Sequence, residues 1–357
     1  MKKNNEGILK DWGEALEPPK IKGRKGKNIR GGKTNNSSSK QKTSGGGGGR
    51  AKLERTVNNA PEVMVKISGG GKNMKHIQAH MDYISRNGDI EVEDENGHTH
   101  NGKDEVNEIA DSWANGRITI PWKSEKRKEA FNIILSMPPG TDREAVKNAA
   151  REFAKEEFKE HQYLFAAHND ENHPHVHLTV KATSNHGVRL NPRKADLQHW
   201  REQFAEKLRD NGIEANATPR RFRGIVKKHQ KQAIKHIDKD YKSGKRKEPS
   251  KATQAQIEAV KKEIETGQKH QNPAEQKIKA GRTKIQKHYG DIAKELASGD
   301  KEDKKLALDI TRFVQNMPPL TTKHQDLVKS IKGNARDADN KKTKTQIKDI
   351  PDKDIER

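Results

Sequence analysis

Residues 163–182 read YLFAAHNDENHPHVHLTVKA and carry most of the information about how this chain folds. The segments 163–167 and 176–182 are rich in apolar and β-branched residues, which predicts two strands joined by a short polar loop. In the second strand His175 and His177 alternate with Val176 and Leu178, so histidines occupy one face and aliphatic side chains the other. The stretch therefore predicts a hairpin with one polar face.

The sequence around this hairpin alternates between further strands and amphipathic helices. Residues 63–67, 89–95 and 130–137 have the pattern of strands. Apolar residues at helical spacing predict helices over 72–87 and 104–114, a third that begins at the capping box Thr141-x-x-Glu144, and a fourth between Pro192 and Gly212. This order of elements predicts an α+β fold with a mainly antiparallel sheet.

The charge of the 357 residues is concentrated at the two ends of the chain, and the net charge is +22. Residues 1–60 hold 15 Lys and Arg against 5 acidic residues, 61–225 hold 25 against 26, and 226–357 hold 33 against 20. We therefore expect one folded domain over 61–225. Residues 1–60 are predicted to be a disordered Gly/Ser-rich basic arm, with a helical piece near 8–16, and 226–357 a Lys-rich tail, partly helical or disordered.

Composition excludes several classes of protein. The chain has no Cys, which rules out a disulfide framework and thiolate metal sites or nucleophiles. The sequence has no run of about 18 apolar residues that would predict a membrane span, and its first residues lack the apolar region of a secretory signal. We therefore expect a cytoplasmic location. Basic arms attract polyanions, chiefly nucleic acid, although they also serve solubility.

Four of the 16 histidines lie between positions 168 and 177. His175 and His177 share a strand face, and His168 at the end of the preceding strand is placed to join them across the hairpin. Three neutral imidazoles can hold a metal ion and leave positions open for water or a phosphate oxygen, whereas a structural zinc site usually needs a fourth ligand. The pair His98 and His100 sits in a charged turn, and we interpret it as solvated.

Tyr83 is one of only four tyrosines. On the predicted helix it lies off the apolar stripe formed by residues 74, 77, 81 and 84, on the face of His76 and His80. A tyrosine in this position is either surface decoration or, together with a three-histidine site, a nucleophile.

Three blocks of this sequence resemble those of the MobP-type relaxases, which are conjugative mobilisation nucleases of the HUH endonuclease superfamily. The block Tyr83-Ile-Ser-Arg-Asn-Gly88 is similar to their nucleophile motif. Leu135-Ser-Met-Pro-Pro-Gly140 is similar to a second motif, and His168-x-Asp170-x-x-His173-Pro-His175-Val-His177 to the metal motif. The resemblance covers about 165 residues. The chain departs from the family in the 60 residues that precede the domain and in the lack of a helicase signature after it.

The resemblance implies a two-layer HUH sandwich around a central sheet, flanked by basic tails, that nicks one DNA strand at an origin of transfer. Tyr83 would form a 5′-phosphotyrosyl adduct, and His168, His175 and His177 would hold Mg or Mn. Asp170 would orient a metal ligand or accept the phenolic proton, as a neighbouring His also could, and Glu171 is a weaker candidate ligand. Ser136, Arg220, Arg221 and Arg223 would contact DNA. The implied partners are single-stranded DNA at the origin, accessory relaxosome proteins and a type IV secretion coupling protein, for which residues 341–357 are the candidate signal.

Three other functions fit parts of the pattern. An HUH replication initiator or transposase would share the histidines, but in many of them the His pair precedes the Tyr. A non-catalytic, metal-stabilised DNA-binding protein would not need Tyr83. A metallohydrolase that uses bound water would leave no protein–DNA adduct.

Overall fold

The computed structural model describes residues 47–123, 127–226, 230–269 and 272–332. The strands are β1 (Met64–Gly69), β2 (Val92–Asp94), β3 (Thr99–His100), β4 (Ala130–Ser136), β5 (Tyr163–His168) and β6 (His175–Lys181). The helices are α1 (Gly47–Val57), α2 (Met74–Ile84), α3 (Lys103–Asn115), α4 (Arg143–Glu157), α5 (Lys194–Asp210), α6 (Gln232–Lys242), α7 (Lys251–Thr266), α8 (Glu275–Leu296) and α9 (Lys301–Gln315). The predicted helical piece near 8–16 and the candidate signal at 341–357 lie outside the described residues.

The six strands form one antiparallel sheet in the order β1-β4-β6-β5-β2-β3. The histidine strand β6 lies inside the sheet, between β4 and β5. His175 lies opposite His168 of β5 and Ser136 of β4, and His177 lies opposite Ala166. Because directly opposite residues of paired strands share a face, this register places the three histidines and Ser136 on the same side of the sheet.

Helices pack against both faces of this sheet. One core lies under α4 and α5 and contains Val176 and Leu178 of β6. The other lies under α2 and α3 and contains Leu164 and Ala166 of β5. The α+β class with a central antiparallel sheet is confirmed. Strand β5 contributes buried side chains to both cores, Phe165 to the first and Leu164 to the second.

The predicted disorder of residues 1–60 is wrong for the end of that segment, where α1 is packed into the fold. Leu53 and Val57 lie one helical turn apart and are both buried. The Thr56 hydroxyl is 2.7 Å from that of Thr218, and Lys52 pairs with Glu202 at 2.6 Å. The run of glycines before position 50 concealed this apolar stripe, which stabilises the helix through tertiary packing.

Two helices begin one or two residues later than the sequence predicted. The N-cap of α4 is Asp142 rather than Thr141, because the Asp142 carboxylate accepts from the Ala145 N–H at 2.6 Å. Helix α5 begins at Lys194, two residues after the predicted start at Pro192; its N-cap is Arg193, and the Asp196 carboxylate accepts from the Arg193 N–H at 2.6 Å. In both cases a carboxylate satisfies a helix N-terminal donor.

The chain divides into two compact units. The first comprises residues up to Pro219 together with Ile292–Phe313 and contains the sheet. The second comprises Arg220–Asp291 and the residues from Val314 onward. Within the second unit the Tyr289 hydroxyl donates to the Phe222 carbonyl at 3.1 Å. Among the described residues, no helix combines the length and the apolar character required to span a membrane.

Candidate active site

Helix α2 displays Tyr83 on the histidine side of the sheet. The helix buries Met74, Ile77, Met81 and Ile84 in the core that it shares with α3. Tyr83 falls outside this stripe and is 51% exposed. Its ring centre lies 5.8 Å from that of His177 and 6.4 Å from that of His168. The amphipathic pattern of α2 and the register of the sheet thus bring the tyrosine and the histidines together.

The three predicted metal ligands form one cluster. His168, His175 and His177 each offer a ring nitrogen, and these atoms lie within 4.8 Å of one another. The His168 and His177 rings are closest, with centres 4.5 Å apart. The cluster arises because β5 ends and β6 begins at opposite positions of the hairpin.

Backbone carbonyls hold two of the imidazole rings. His168 Nε2 lies 2.7 Å from the Ile84 carbonyl oxygen, and His175 Nδ1 lies 3.0 Å from that of His173. A carbonyl oxygen only accepts, so these ring nitrogens donate. In the neutral form of each ring, the other nitrogen, His168 Nδ1 or His175 Nε2, then bears a lone pair that can bind a metal ion. Such hydrogen bonds orient the histidine ligands of metal ions in proteins.

The donor set fits a divalent ion. His168 Nδ1 and His177 Nδ1 are buried without a hydrogen-bond partner among the described residues. Burial, followed by the nearby His168 and His175, lowers the pKa of His177 to about 3, and burial also lowers the pKa of His168. Both rings are therefore neutral at physiological pH, which is the form that binds metal.

The loop between β5 and β6 is tied to two arginines from other elements. Arg143, the first residue of α4, donates to the Glu171 carbonyl at 2.6 Å and also approaches the His168 carbonyl at 3.4 Å. Arg86, just after α2, forms an ion pair with Asp170. These contacts join sequence positions 25 to 84 residues apart and fix the loop beside Tyr83.

Asp170 makes neither of its two predicted contacts among the described residues. Its carboxylate pairs with Arg86 instead of accepting from a histidine ring or from the Tyr83 hydroxyl. Partial burial raises the pKa of Asp170, but the charge of Arg86 and a backbone hydrogen bond outweigh it, so the pKa is lowered. The Asp170 carboxylate therefore neutralises the guanidinium that lies beside Tyr83.

His80 is a site residue to which the sequence assigned no role. Its ring stacks against Tyr83 with centres 5.9 Å apart, and it lies 6.3 Å from the ring of His177. His80 Nε2 is buried without a partner in the described part of the chain, and burial, followed by His168, lowers the pKa of His80 to about 4. The signal was present, since His80 precedes Tyr83 by one helical turn.

The other predicted residues lie in different surroundings. Ser136 is buried in the same cross-strand row as His175 and His168. Arg220, Arg221 and Arg223, the predicted DNA contacts, belong to the second unit. Their role in binding DNA stays a prediction.

The histidines of the turn that was predicted to be solvated, His98 and His100, differ in exposure. His98 is exposed as predicted, whereas His100 is half-buried, and the two rings lie 3.4 Å and 3.6 Å from the carboxylate of Asp94. This turn is separate from the three-histidine cluster.

The exposed Tyr83 beside the three-histidine cluster on a central antiparallel sheet is the arrangement that the sequence resemblance implied. Residues 83–213 match the family model of the MobA/VirD2-like relaxase nuclease domain, so the resemblance drawn from the sequence is confirmed over this segment. The match begins at Tyr83 itself and includes the whole histidine cluster.

Among curated proteins, the chain is similar to T-DNA border endonucleases VirD2. It is 31% identical to that of Rhizobium radiobacter and 30% identical to that of Rhizobium rhizogenes, in each case over 186 residues. The aligned region is 47% of this chain and 44% and 43% of the two relatives. The chain thus spans less than half the length of the curated relatives it matches.

Proposed function

We propose that this protein nicks one strand of DNA at an origin of transfer and becomes covalently attached to the cut end. The observation that carries the proposal is the exposed Tyr83 beside the cluster of His168, His175 and His177. The matched relatives are named as DNA endonucleases, which supports the same class of reaction.

In this mechanism the Tyr83 oxygen attacks the scissile phosphate. The Tyr–phosphate bond forms as the bond to the 3′ oxygen breaks, the phenolic proton leaves, and the released DNA end gains a hydroxyl. One phosphodiester replaces another, so the reaction is reversible and the nick can be resealed. His80 packs against the Tyr83 ring, and the α2 core fixes the helix that carries it.

The three histidines would hold Mg or Mn. A divalent ion at this position would polarise the phosphate and stabilise the charge that develops on it. Ser136 would contact the DNA beside the nick, Arg220, Arg221 and Arg223 would bind phosphates, and Asp170 would take part through Arg86. We further propose that the adduct supports plasmid mobilisation, with relaxosome proteins and a secretion coupling protein as partners.

The test is formation of an SDS-resistant adduct. The full chain is incubated with MgCl₂ or MnCl₂ and labelled single-stranded oligonucleotides that tile the DNA flanking its gene. We expect an adduct whose peptide, identified by mass spectrometry, contains Tyr83. Tyr83→Phe should abolish the adduct and keep single-strand binding, while Tyr241→Phe, an exposed tyrosine of the second unit, is the matched control.

Other outcomes assign a different class to the protein. Binding without an adduct would indicate a non-catalytic DNA-binding protein. Cleavage without an adduct would indicate a metallohydrolase. An adduct at an end generated by replication or transposition, with no effect on transfer, would indicate another HUH enzyme.

A further inference from the structure

The turn that follows Tyr83 holds an arginine in an unusual backbone conformation. Arg86 and Asn87 have φ angles of +53° and +58°, and Gly88 follows at +96°. Left-handed backbone is unfavourable for residues with a Cβ, so the surrounding contacts must impose it. Asn87 N–H donates to the Asp82 carbonyl at 2.7 Å, and Ile90 N–H donates to that of Ser85 at 2.8 Å. The turn is therefore closed onto the last turn of α2.

This conformation places a cation beside the proposed nucleophile. The Arg86 guanidinium carbon lies 5.3 Å from the centre of the Tyr83 ring. Its side chain is 36% exposed, and its described polar partner is the half-exposed carboxylate of Asp170. Arg143 is engaged differently, because its donors lie on the carbonyls of the β5–β6 loop. Arg86 thus presents a solvent-accessible guanidinium beside Tyr83, and another anion can replace the Asp170 carboxylate on it.

We propose that Arg86 binds the phosphate that Tyr83 attacks. In the protein without DNA, the Asp170 carboxylate takes the place of that phosphate on the guanidinium. The inference rests on the proposed function. A phosphate within bonding distance of the Tyr83 oxygen brings a negative charge next to Arg86. A guanidinium binds phosphate and carboxylate oxygens with the same planar pair of donors, so the exchange keeps its hydrogen bonds.

Arg86 makes no covalent bond in this reaction. The tyrosyl oxygen–phosphorus bond forms, the phosphorus–3′ oxygen bond breaks, and the guanidinium keeps all its protons. Because the guanidinium contacts the phosphate throughout the step and most strongly while charge develops on it in the transition state, its removal affects both DNA binding and the rate of transfer.

The experiment compares Arg86→Ala, Arg86→Lys and Asp170→Asn in the full chain, with Arg117→Ala as a charge-matched control at an exposed position. Affinity for a labelled single-stranded oligonucleotide is measured as a function of salt, and the adduct rate is measured at saturating oligonucleotide. Mn²⁺ binding by calorimetry verifies that the histidine cluster is intact in each variant.

We expect Arg86→Ala to lower the adduct rate about 100-fold. It should also reduce the slope of log affinity against log salt by about 0.7, the value for one phosphate contact on a single strand. Arg86→Lys should recover part of the rate, and Asp170→Asn should bind the oligonucleotide more tightly than wild type because the competing carboxylate is gone. Mn²⁺ binding should stay unchanged in all variants.

Two results would overturn the inference. One is an Arg86→Ala protein whose rate and salt slope equal those of Arg117→Ala. The other is weaker binding by Asp170→Asn, with no rescue by lysine at position 86, since that pattern belongs to a structural ion pair. If wild type formed no adduct but Arg86→Ala still lost the phosphate contact, the proposed reaction would fail while the contact stood. If both were absent, both proposals would fail.

Discussion

Gly88→Ala should disturb both stability and the position of Tyr83. At φ +96° an alanine pays the cost of left-handed backbone, about 1–2 kcal/mol. A Cβ at this position would also overlap the backbone of Gly102 and Lys103, which the Gly102 N–H joins to the Gly88 carbonyl at 3.1 Å. Overpacking against main chain adds about 1–3 kcal/mol, so the free energy of unfolding should fall by about 2–5 kcal/mol.

The matched control is Gly212→Ala. Gly212 has φ +79°, and its Cβ would meet no atom within 4 Å. It should therefore lose only the backbone contribution, about 1–2 kcal/mol. The difference between the two variants isolates the contact between the Gly88 turn and the start of α3.

Urea unfolding followed by circular dichroism measures this difference, and the adduct rate of the folded variants measures the displacement of Tyr83. A misplacement of about 1 Å at a reacting group can cost about 100-fold in rate, so Gly88→Ala should react far more slowly than Gly212→Ala. Equal unfolding midpoints and equal rates for the two variants would refute the argument.

The metal ligands, the amino-terminal segment and a buried carboxylate give three further expectations. His177→Ala, like His175→Ala, should abolish metal-dependent adduct formation and weaken Mn²⁺ binding at least tenfold in calorimetry, while single-strand binding is kept and His98→Ala behaves as wild type; full activity would count against the site. Removal of residues 1–46, which hold 12 Lys and Arg against 4 acidic residues, should weaken DNA binding and flatten its salt dependence without lowering the melting temperature. By contrast, Leu53→Ala should lower the free energy of unfolding by about 2–5 kcal/mol. If Leu53→Ala left the stability unchanged, α1 would not be part of the core. In the second unit a hydrogen bond from the Ser250 N–H, with others from Thr253 and Gln230, lowers the pKa of Asp238 to about 2. Since that folded-state pKa lies below the ordinary 3.8, the stabilisation is present above about pH 4 and is lost as the pH falls toward 2. Urea titrations should therefore show Asp238→Asn less stable than wild type at pH 6 and the gap closing below pH 4, whereas a constant gap would contradict this.

The histidine cluster was predictable because it depends on local patterns. Alternation along β6 fixes the face of His175 and His177, and the helical stripe of α2 places Tyr83 away from the core. Both patterns have short periods that a sequence displays directly. The antiparallel hairpin then aligns His168 with His175 without any further information.

The remainder of the site depends on contacts between distant positions. The ion pair of Arg86 with Asp170 spans 84 residues, and Arg143, at the start of α4, contacts the loop between β5 and β6. No periodicity indicates such contacts, and the family resemblance assigned Asp170 to a histidine or to the phenol. Helix α1 was missed for a different reason, because its few buried residues follow a glycine run that dominates the composition.

The pairing of β5 with β6 has a consequence for how this domain tolerates changes in length. Side chains alternate across the sheet, so one residue inserted into either strand would carry the histidines beyond it to the face under α4 and α5. A change in the length of the hairpin loop at residues 169–174 has no such effect, because the residues within the two strands keep their faces and their register. Relatives that keep the three ligands should therefore keep the length of both strands and differ in residue number only within the loop.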